Sequence, residues 1–150
     1  MNFIKRKPHI LFLAVFIVVL AVGFLIPKDD VVINIYDTYF VISRRDFSIL
    51  LSIPYISFSL IYLGLVKYSF KLINWITVFH VSASILGLIL ILGLINLIRE
   101  STPGDFTALL NDMKFNRNIE YMIAAIVFSI IIAQILFLTN VIYALVKRKN

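Results

Sequence analysis

The sequence predicts an all-α integral membrane protein with four transmembrane helices, and three observations carry that prediction. Of its 150 residues, 61% are hydrophobic and 15% charged, and the mean hydropathy of +1.00 lies far above that of soluble domains. The apolar residues fall into four runs, each long enough to cross a bilayer as a helix. Lys and Arg residues cluster at alternate boundaries of these runs, which is the usual topology signal of membrane proteins.

The composition also excludes several classes of function. The chain has no cysteine, which excludes disulfides, zinc–thiolate sites, iron–sulfur clusters and a thiol nucleophile. The net charge of +6 is concentrated at membrane boundaries, so we expect no nucleic-acid partner. The sequence has no phosphate-binding loop, no Ser/His/Asp set and no run of intramembrane carboxylates. The lipid bilayer is the first partner that the composition predicts.

The first span is predicted at residues 9–26, between a basic lead and Pro27. A helix of this length rises about 27 Å, just enough for the hydrocarbon core. A signal peptide also begins with a basic region and an apolar run, but this run is long for one. It also lacks a good small-x-small cleavage site, Ala21-Val22-Gly23 being the nearest. We expect a retained helix.

The second span is predicted at about residues 40–66: its clear apolar segment, residues 47–66, follows a polar stretch at residues 34–47, and the helix is expected to start within that stretch. Residues 31–35 are largely β-branched and are expected to be extended, and Thr38 is a candidate N-cap for an earlier helix start. One face of this span carries a stripe of hydroxyl-bearing side chains at helical spacing: Ser48, Ser52, Tyr55, Ser59 and Tyr62. The stripe favours a helix–helix interface, and a proton path in a small transport or sensing module is the alternative. The inverted repeat and broken helices that transporters often show are absent from the sequence.

The third span is predicted at residues 72–98, with one face formed by Thr77, His80, Ser84 and Gly87. The fourth is predicted at residues 121–146. Before it, Thr102-Pro103 has the character of a helix start, and an apolar face follows in Phe106, Leu109, Leu110 and Met113. This pattern predicts a short amphipathic helix at about residues 103–114, lying on the membrane surface.

The distribution of charge predicts the topology. The N-terminus, the turn at residues 67–71 and the C-terminus hold three, two and three basic residues and no acids. The two other loops hold all eight acids. The positive-inside rule therefore predicts an inner or plasma membrane protein with both termini in the cytoplasm and both long loops outside.

Four stretches of the chain resemble a known family. Residues 37–42 read D-T-Y-F-V-I and resemble the D-T-Y-[FY]-V-V segment of subunit I of the haem–copper oxidases, which leads into its tenth helix. Residues 31–36 look like that family's approach to this segment, and Trp75-Ile76-Thr77 resembles its F-W-x-T stretch. Residues 133–142, A-Q-I-L-F-L-T-N-V-I, are similar to its last helix. The resemblance implies a fold like helices nine to twelve of that subunit.

The same comparison implies that the family's chemistry is lost. Its haem-ligand histidines follow the D-T-Y segment, and Arg44 and Asp46 stand at those positions. Arginine has no lone pair for iron, and aspartate is not among the usual haem ligands. The family's H-D pair of a magnesium site is here Tyr36-Asp37, so Asp37 is a lone candidate for a metal that we do not expect. No cofactor is expected.

His80 is a candidate cofactor ligand in the spans, because an intramembrane ionisable residue is a functional candidate by default. One hypothesis is that it binds haem, with His9 as a second ligand, which would make the chain an electron-transfer subunit of an oxidase-type complex. The other is that a neutral His80 hydrogen-bonds to a neighbouring helix, and we favour this one.

The sequence thus predicts a non-catalytic relative of subunit I that works by helix–helix association. The expected partners are other membrane subunits, such as those of a respiratory complex, or further copies of the chain. Candidate motif and partner contacts are Asp37, Thr38, Tyr39, Arg44, Arg45 and Asp46. Two roles remain open for Arg44 and Asp46: they anchor the helix end and pair with loop acids, or they point inward and bind an acidic partner group or a small anion.

Overall fold

The fold is helical apart from one short β-hairpin. The structure is a computed structural model that describes residues 4, 6–25, 30–35, 38–99 and 106–147, without the side chains of residues 32–35. These residues form α1 (Pro8–Leu25), β1 (Val31–Ile35), β2 (Thr38–Ile42), α2 (Arg44–Lys67), α3 (Asn74–Ile95) and α4 (Phe106–Val146). All four helices are long and apolar enough to cross a membrane, which confirms the expected multi-pass class.

The elements divide into two compact units. The N-terminal unit contains α1, the β-hairpin and α2, and its two helices pack against each other. The C-terminal unit, Leu72–Val146, contains α3 packed on α4. Both α1 and α3 match their predicted spans to within three residues at each end.

The start of α2 differs from the prediction. Thr38 is not its N-cap, because Thr38–Ile42 pairs antiparallel with Val31–Ile35 as a strand. These β-branched and aromatic residues pair the backbone groups that face the other strand, so the all-α class holds for the spans but not for this loop. Ser43 is the actual N-cap: its Oγ accepts a hydrogen bond from Asp46 N at 3.1 Å and donates one to Asp46 Oδ2 at 2.7 Å.

The last helix also differs from the prediction. Residues 106–114 are helical, but they do not form a separate surface helix, because α4 runs unbroken for 41 residues from Phe106 to Val146. Thr102, Pro103 and the start proposed there lie outside the described residues. No Gly or Pro interrupts residues 106–146, so nothing in the backbone favours a break. At about 1.5 Å per residue this helix is roughly twice as long as a bilayer core is thick.

A clasp between the segment after α3 and α4 supports the part of α4 that precedes its predicted start, residues 106–120. The Asn116 side chain accepts a hydrogen bond from Arg99 N and donates one to Arg99 O, both at 2.9 Å. The Arg99 guanidinium lies 3.4 Å from Asp112 Oδ1 and 3.9 Å from the centroid of the Phe115 ring. The segment that follows α3 is therefore tied to the first turns of α4.

Candidate functional site: polar seams inside the two units

A buried amide joins the beginning of α3 to the end of α4. Asn140 is fully buried, and its Oδ1 accepts a hydrogen bond from Ile73 N at 2.8 Å. Its Nδ2 donates to Ile73 O at 3.4 Å and to Thr77 Oγ1 at 3.1 Å. Ile73 is the N-cap of α3 and has no side-chain cap of its own. Asn140 therefore supplies from a distant helix the polar partner that a helix start requires.

One turn further along, a second set of polar groups meets between the same helices. Nε2 of His80 lies 2.9 Å from Gln134 Oε1, and Gln134 Nε2 donates to Ser84 Oγ at 3.2 Å. The ring of His80 stacks on that of Phe137, with centroids 4.4 Å apart and an interplanar angle of 15°. Because a carbonyl oxygen can only accept, Nε2 carries the proton in this arrangement. His80 is fully buried. The predicted hydrogen bond between His80 and a neighbouring helix is confirmed.

Gly87 lets α3 and α4 approach closely on the side of Ser84 away from His80. A Cβ built on Gly87 would lie 2.8 Å from Cδ1 of Ile130, closer than real Cβ atoms come. Gly87 is buried together with Thr77, His80 and Ser84. The predicted polar face of α3 is therefore the face that packs on α4, and we call this contact the α3–α4 seam.

The hydroxyl stripe of α2 forms the corresponding contact in the N-terminal unit, the α1–α2 seam. All five members of the stripe, Ser48, Ser52, Tyr55, Ser59 and Tyr62, are buried. Phe12 of α1 is fully buried and stacks on Tyr62 with ring centroids 5.7 Å apart. A Cβ on Gly23 would overlap the side chain of Ser48, so the helices are nearly in backbone contact there.

The hydrogen bonds of the seams indicate what they can do chemically. Ser52 Oγ donates to Ile49 O at 2.7 Å, and Ser59 Oγ donates to His9 O at 2.9 Å. A backbone carbonyl has no proton to pass on, and the Gln134 amide does not exchange one readily, so these bonds do not relay protons. The bonds of Ser59 to α1 and of Gln134 to α3 are typical of interhelical hydrogen bonding in membranes, which joins helices.

The described part of the D-T-Y motif lies on β2, and the charged residues after it lie at the start of α2, beside the end of α1. Asp37, the metal candidate, is outside the described residues, while Thr38 and Tyr39 lie exposed on β2. Arg44, Arg45 and Asp46 form the first turn of α2, and Asp46 is engaged with its N-cap. The Arg45 guanidinium lies 4.9 Å from the centroid of the Phe24 ring at the end of α1.

Metal-ligating side chains do not gather in the part of the chain that is described. No group of three or more His, Asp or Glu residues there could hold a metal ion. His80 could reach haem iron through Nε2 only by giving up Gln134, and Phe137 covers one face of its ring.

Three side-chain amides of these contacts and of the clasp at Arg99 were not among the sequence-based candidates. Gln134 and Asn140 were noted only as part of the family-like segment at residues 133–142. An amide inside an apolar helix is itself a signal for an interhelical hydrogen bond. Asn116 carries no such signal, because it lies in a polar stretch where asparagine is common.

No protein family, no curated protein and no solved structure matches this chain.

Proposed function

We propose that the chain is a non-catalytic membrane protein that works by helix–helix association with other membrane subunits. It would be a relative of subunit I of the haem–copper oxidases, and a respiratory complex is the partner class which that relationship implies. The support for the relationship is the set of similar segments, D-T-Y-F-V-I above all. The support for a non-catalytic role is that Arg44 and Asp46 stand at the family's two haem-ligand positions.

One observation carries the associative role: the buried amides and His80 of the C-terminal unit bond within that unit, while many large apolar side chains of the spans face outward. His80, Gln134 and Asn140 are engaged with one another's helices. Even exposed hydroxyls bond to their own helix, as Ser57 does to Ile53 O and Thr139 to Leu136 O. The outer surface therefore presents side chains that only lipid or another apolar helix can contact.

The amount of this surface is largest on α4. In the most apolar eighteen-residue stretch of α4, 11% of the residues are buried within the protein. Exposed members of this surface include Phe128, Ile131, Ile135, Leu138 and Ile142. Transmembrane helices associate by van der Waals packing, so this exposed apolar face of α4 is where we expect a partner helix to pack.

Co-purification combined with a tryptophan scan tests this role. The full chain, tagged and extracted from native membranes in mild detergent, is expected to bring down a stoichiometric complex that contains respiratory subunits. Tryptophan at a helix–helix contact blocks close packing, whereas lipid accommodates it. Ile135→Trp and Leu138→Trp on α4 are expected to reduce recovery of the complex, and Leu90→Trp on α3 serves as the matched exposed control.

A monomeric chain without a sensitive face would contradict the proposal. If the wild-type chain elutes as a clean monomer in every mild detergent, and no exposed face is sensitive to tryptophan, helix-mediated association is wrong.

A further inference from the structure

The outer edge of β2 carries no further strand in the described part of the chain. The sheet there has two strands, so no third strand pairs with β2 on the side away from β1. Neither strand contains a charged residue or a proline, the usual devices that keep natural sheet edges from pairing. A two-stranded hairpin is also marginally stable by itself, and a third strand adds the missing stability. This edge has the properties of a surface that another strand covers.

The register of the hairpin determines which backbone groups are open. Ile35 pairs with Thr38 across only two intervening residues, so this closing pair is of the hydrogen-bonded kind. Paired residues alternate along an antiparallel ladder, so Phe40 also points its N–H and C=O toward β1. The N–H and C=O groups of Tyr39 and Val41 therefore point outward.

We propose that β2 pairs antiparallel with β2 of a second copy of this chain, about a two-fold axis at Phe40. Tyr39 and Val41 lie symmetrically on either side of Phe40, so the axis places the open backbone groups of Tyr39 opposite those of Val41 in the other copy. Each copy then donates and accepts at the same positions. The edge is self-complementary, as an isologous interface must be, and the two hairpins form one four-stranded sheet.

The side chains at this edge agree with self-pairing. Tyr39 is 68% exposed, Val41 63% and Phe40 47%. Pairing sets Tyr39 beside Val41 of the second copy, and an aromatic residue opposite a β-branched one is a favourable cross-strand pair. The axis also brings the two Phe40 residues together, in the closer, non-hydrogen-bonded kind of pair.

Insertion in a membrane also favours a second copy of the chain as the partner of β2. Copies inserted in the same orientation hold their hairpins on the same side of the bilayer and at the same height, so that equal edges can meet. The two-fold axis then runs along the membrane normal, and the joint sheet lies parallel to the surface. This pairing uses the loop between α1 and α2 and does not depend on the helix-mediated association proposed above.

Disulfide trapping in membranes tests the register directly, because the natural chain has no cysteine. Phe40→Cys in the full-length protein is expected to form a covalent dimer under mild oxidation, since the paired Cα atoms would lie within disulfide range. Tyr39→Cys alone and Val41→Cys alone are expected to give no dimer, because each meets its own copy only diagonally, at about 7–8 Å. Mixing differently tagged Tyr39→Cys and Val41→Cys chains is expected to restore the product. Tyr68→Cys, 70% exposed in the turn after α2, is the control for random collision.

A second variant separates pairing from folding of the hairpin. Val41→Lys places a cation on the open edge without touching the bonds between β1 and β2, so Phe40→Cys combined with Val41→Lys is expected to lose the dimer. Absence of a Phe40→Cys dimer, equal dimer formation at all four cysteine positions, or a cross-linked product with the mass of another protein would each overturn self-pairing. Co-purification of respiratory subunits is decided by its own experiment, so the two proposals can fail separately.

Discussion

His80 of α3 and Gln134 of α4 lie with Nε2 and Oε1 2.9 Å apart, although 54 positions separate them in the chain. This bond occupies the ring nitrogen that faces α4, and the stacked ring of Phe137 covers one face of the imidazole. His80, the side chain in the spans best suited to bind a metal or transfer a proton, therefore joins two helices.

Haem binding can be tested on this basis. Protein purified from haem-replete cells is expected to show no stoichiometric Soret band in a reduced-minus-oxidised spectrum, and His80→Ala is expected to leave the spectrum unchanged. A strong band that His80→Ala abolishes would show that His80 leaves Gln134 for iron, and would replace the associative role with electron transfer.

Asn140 is expected to be the most sensitive polar residue of the α3–α4 seam. Asn140→Ala leaves the half-buried Ile73 N–H and the buried Thr77 Oγ1 without this partner, so the free energy of unfolding should fall by roughly 1–3 kcal/mol. Thermal unfolding in detergent measures the loss. Asn118→Ala, which changes an exposed asparagine of the same helix, is the matched control and should have little effect. Equal effects of the two substitutions would contradict the capping role.

The crossing of α1 and α2 predicts a steric effect with a specific rescue. Gly23→Ala introduces a Cβ that overlaps Ser48, and such overpacking typically costs about 1–3 kcal/mol. Adding Ser48→Gly removes the overlapping atoms, so the double variant should recover part of the loss. Gly64→Ala is the control, because its Cβ would meet no other atom within 4 Å, and alanine favours a helix by up to about 1 kcal/mol over glycine. Absence of rescue would mean that the helices do not cross at Gly23.

The clasp at the end of α3 predicts that Asn116→Ala loosens this contact more than Arg99→Ala does. Loss of charge alone would predict the opposite order. Arg99→Ala removes a half-exposed ion pair and a ring contact, worth about 0.5–1 kcal/mol together. Asn116→Ala removes both hydrogen bonds to the Arg99 backbone and is expected to have the larger effect. Hydrogen exchange at the Arg99 amide measures local opening, which should be faster in Asn116→Ala than in Arg99→Ala. The reverse order would assign the clasp to the guanidinium.

The topology from the positive-inside rule is tested with single cysteines. Tyr39→Cys on β2 and Asn118→Cys on the extended part of α4 should react with a membrane-impermeant maleimide added outside intact cells. Tyr68→Cys, in the basic turn between α2 and α3, should react only after permeabilisation. Labelling in the opposite pattern would reverse the assignment of both termini to the cytoplasm.

Much of the architecture follows from the order of residues alone. Long apolar runs must form helices in a bilayer, because each backbone group needs a partner within its own segment. The spacing of Thr77, His80, Ser84 and Gly87 determines that they share a face, and their polarity indicates that this face is buried against another helix. The hydroxyl stripe of α2 is predictable for the same reason. The absence of cysteine restricted the available chemistry before any fold was known.

The tertiary structure decided which partners these groups use and where the elements end. Asn140 and Gln134 meet Ile73 and His80 only after α3 and α4 pack, and no local pattern specifies a bond across more than 50 residues. Thr38–Ile42 has strand propensity, yet only pairing with β1 decides against an earlier start of α2. The first part of α4 is held by a clasp with a separate segment at Arg99, a contact that forms only in the folded chain. Periodicity specifies the face that a helix buries, whereas the identity of the surface that it meets is a property of the folded chain.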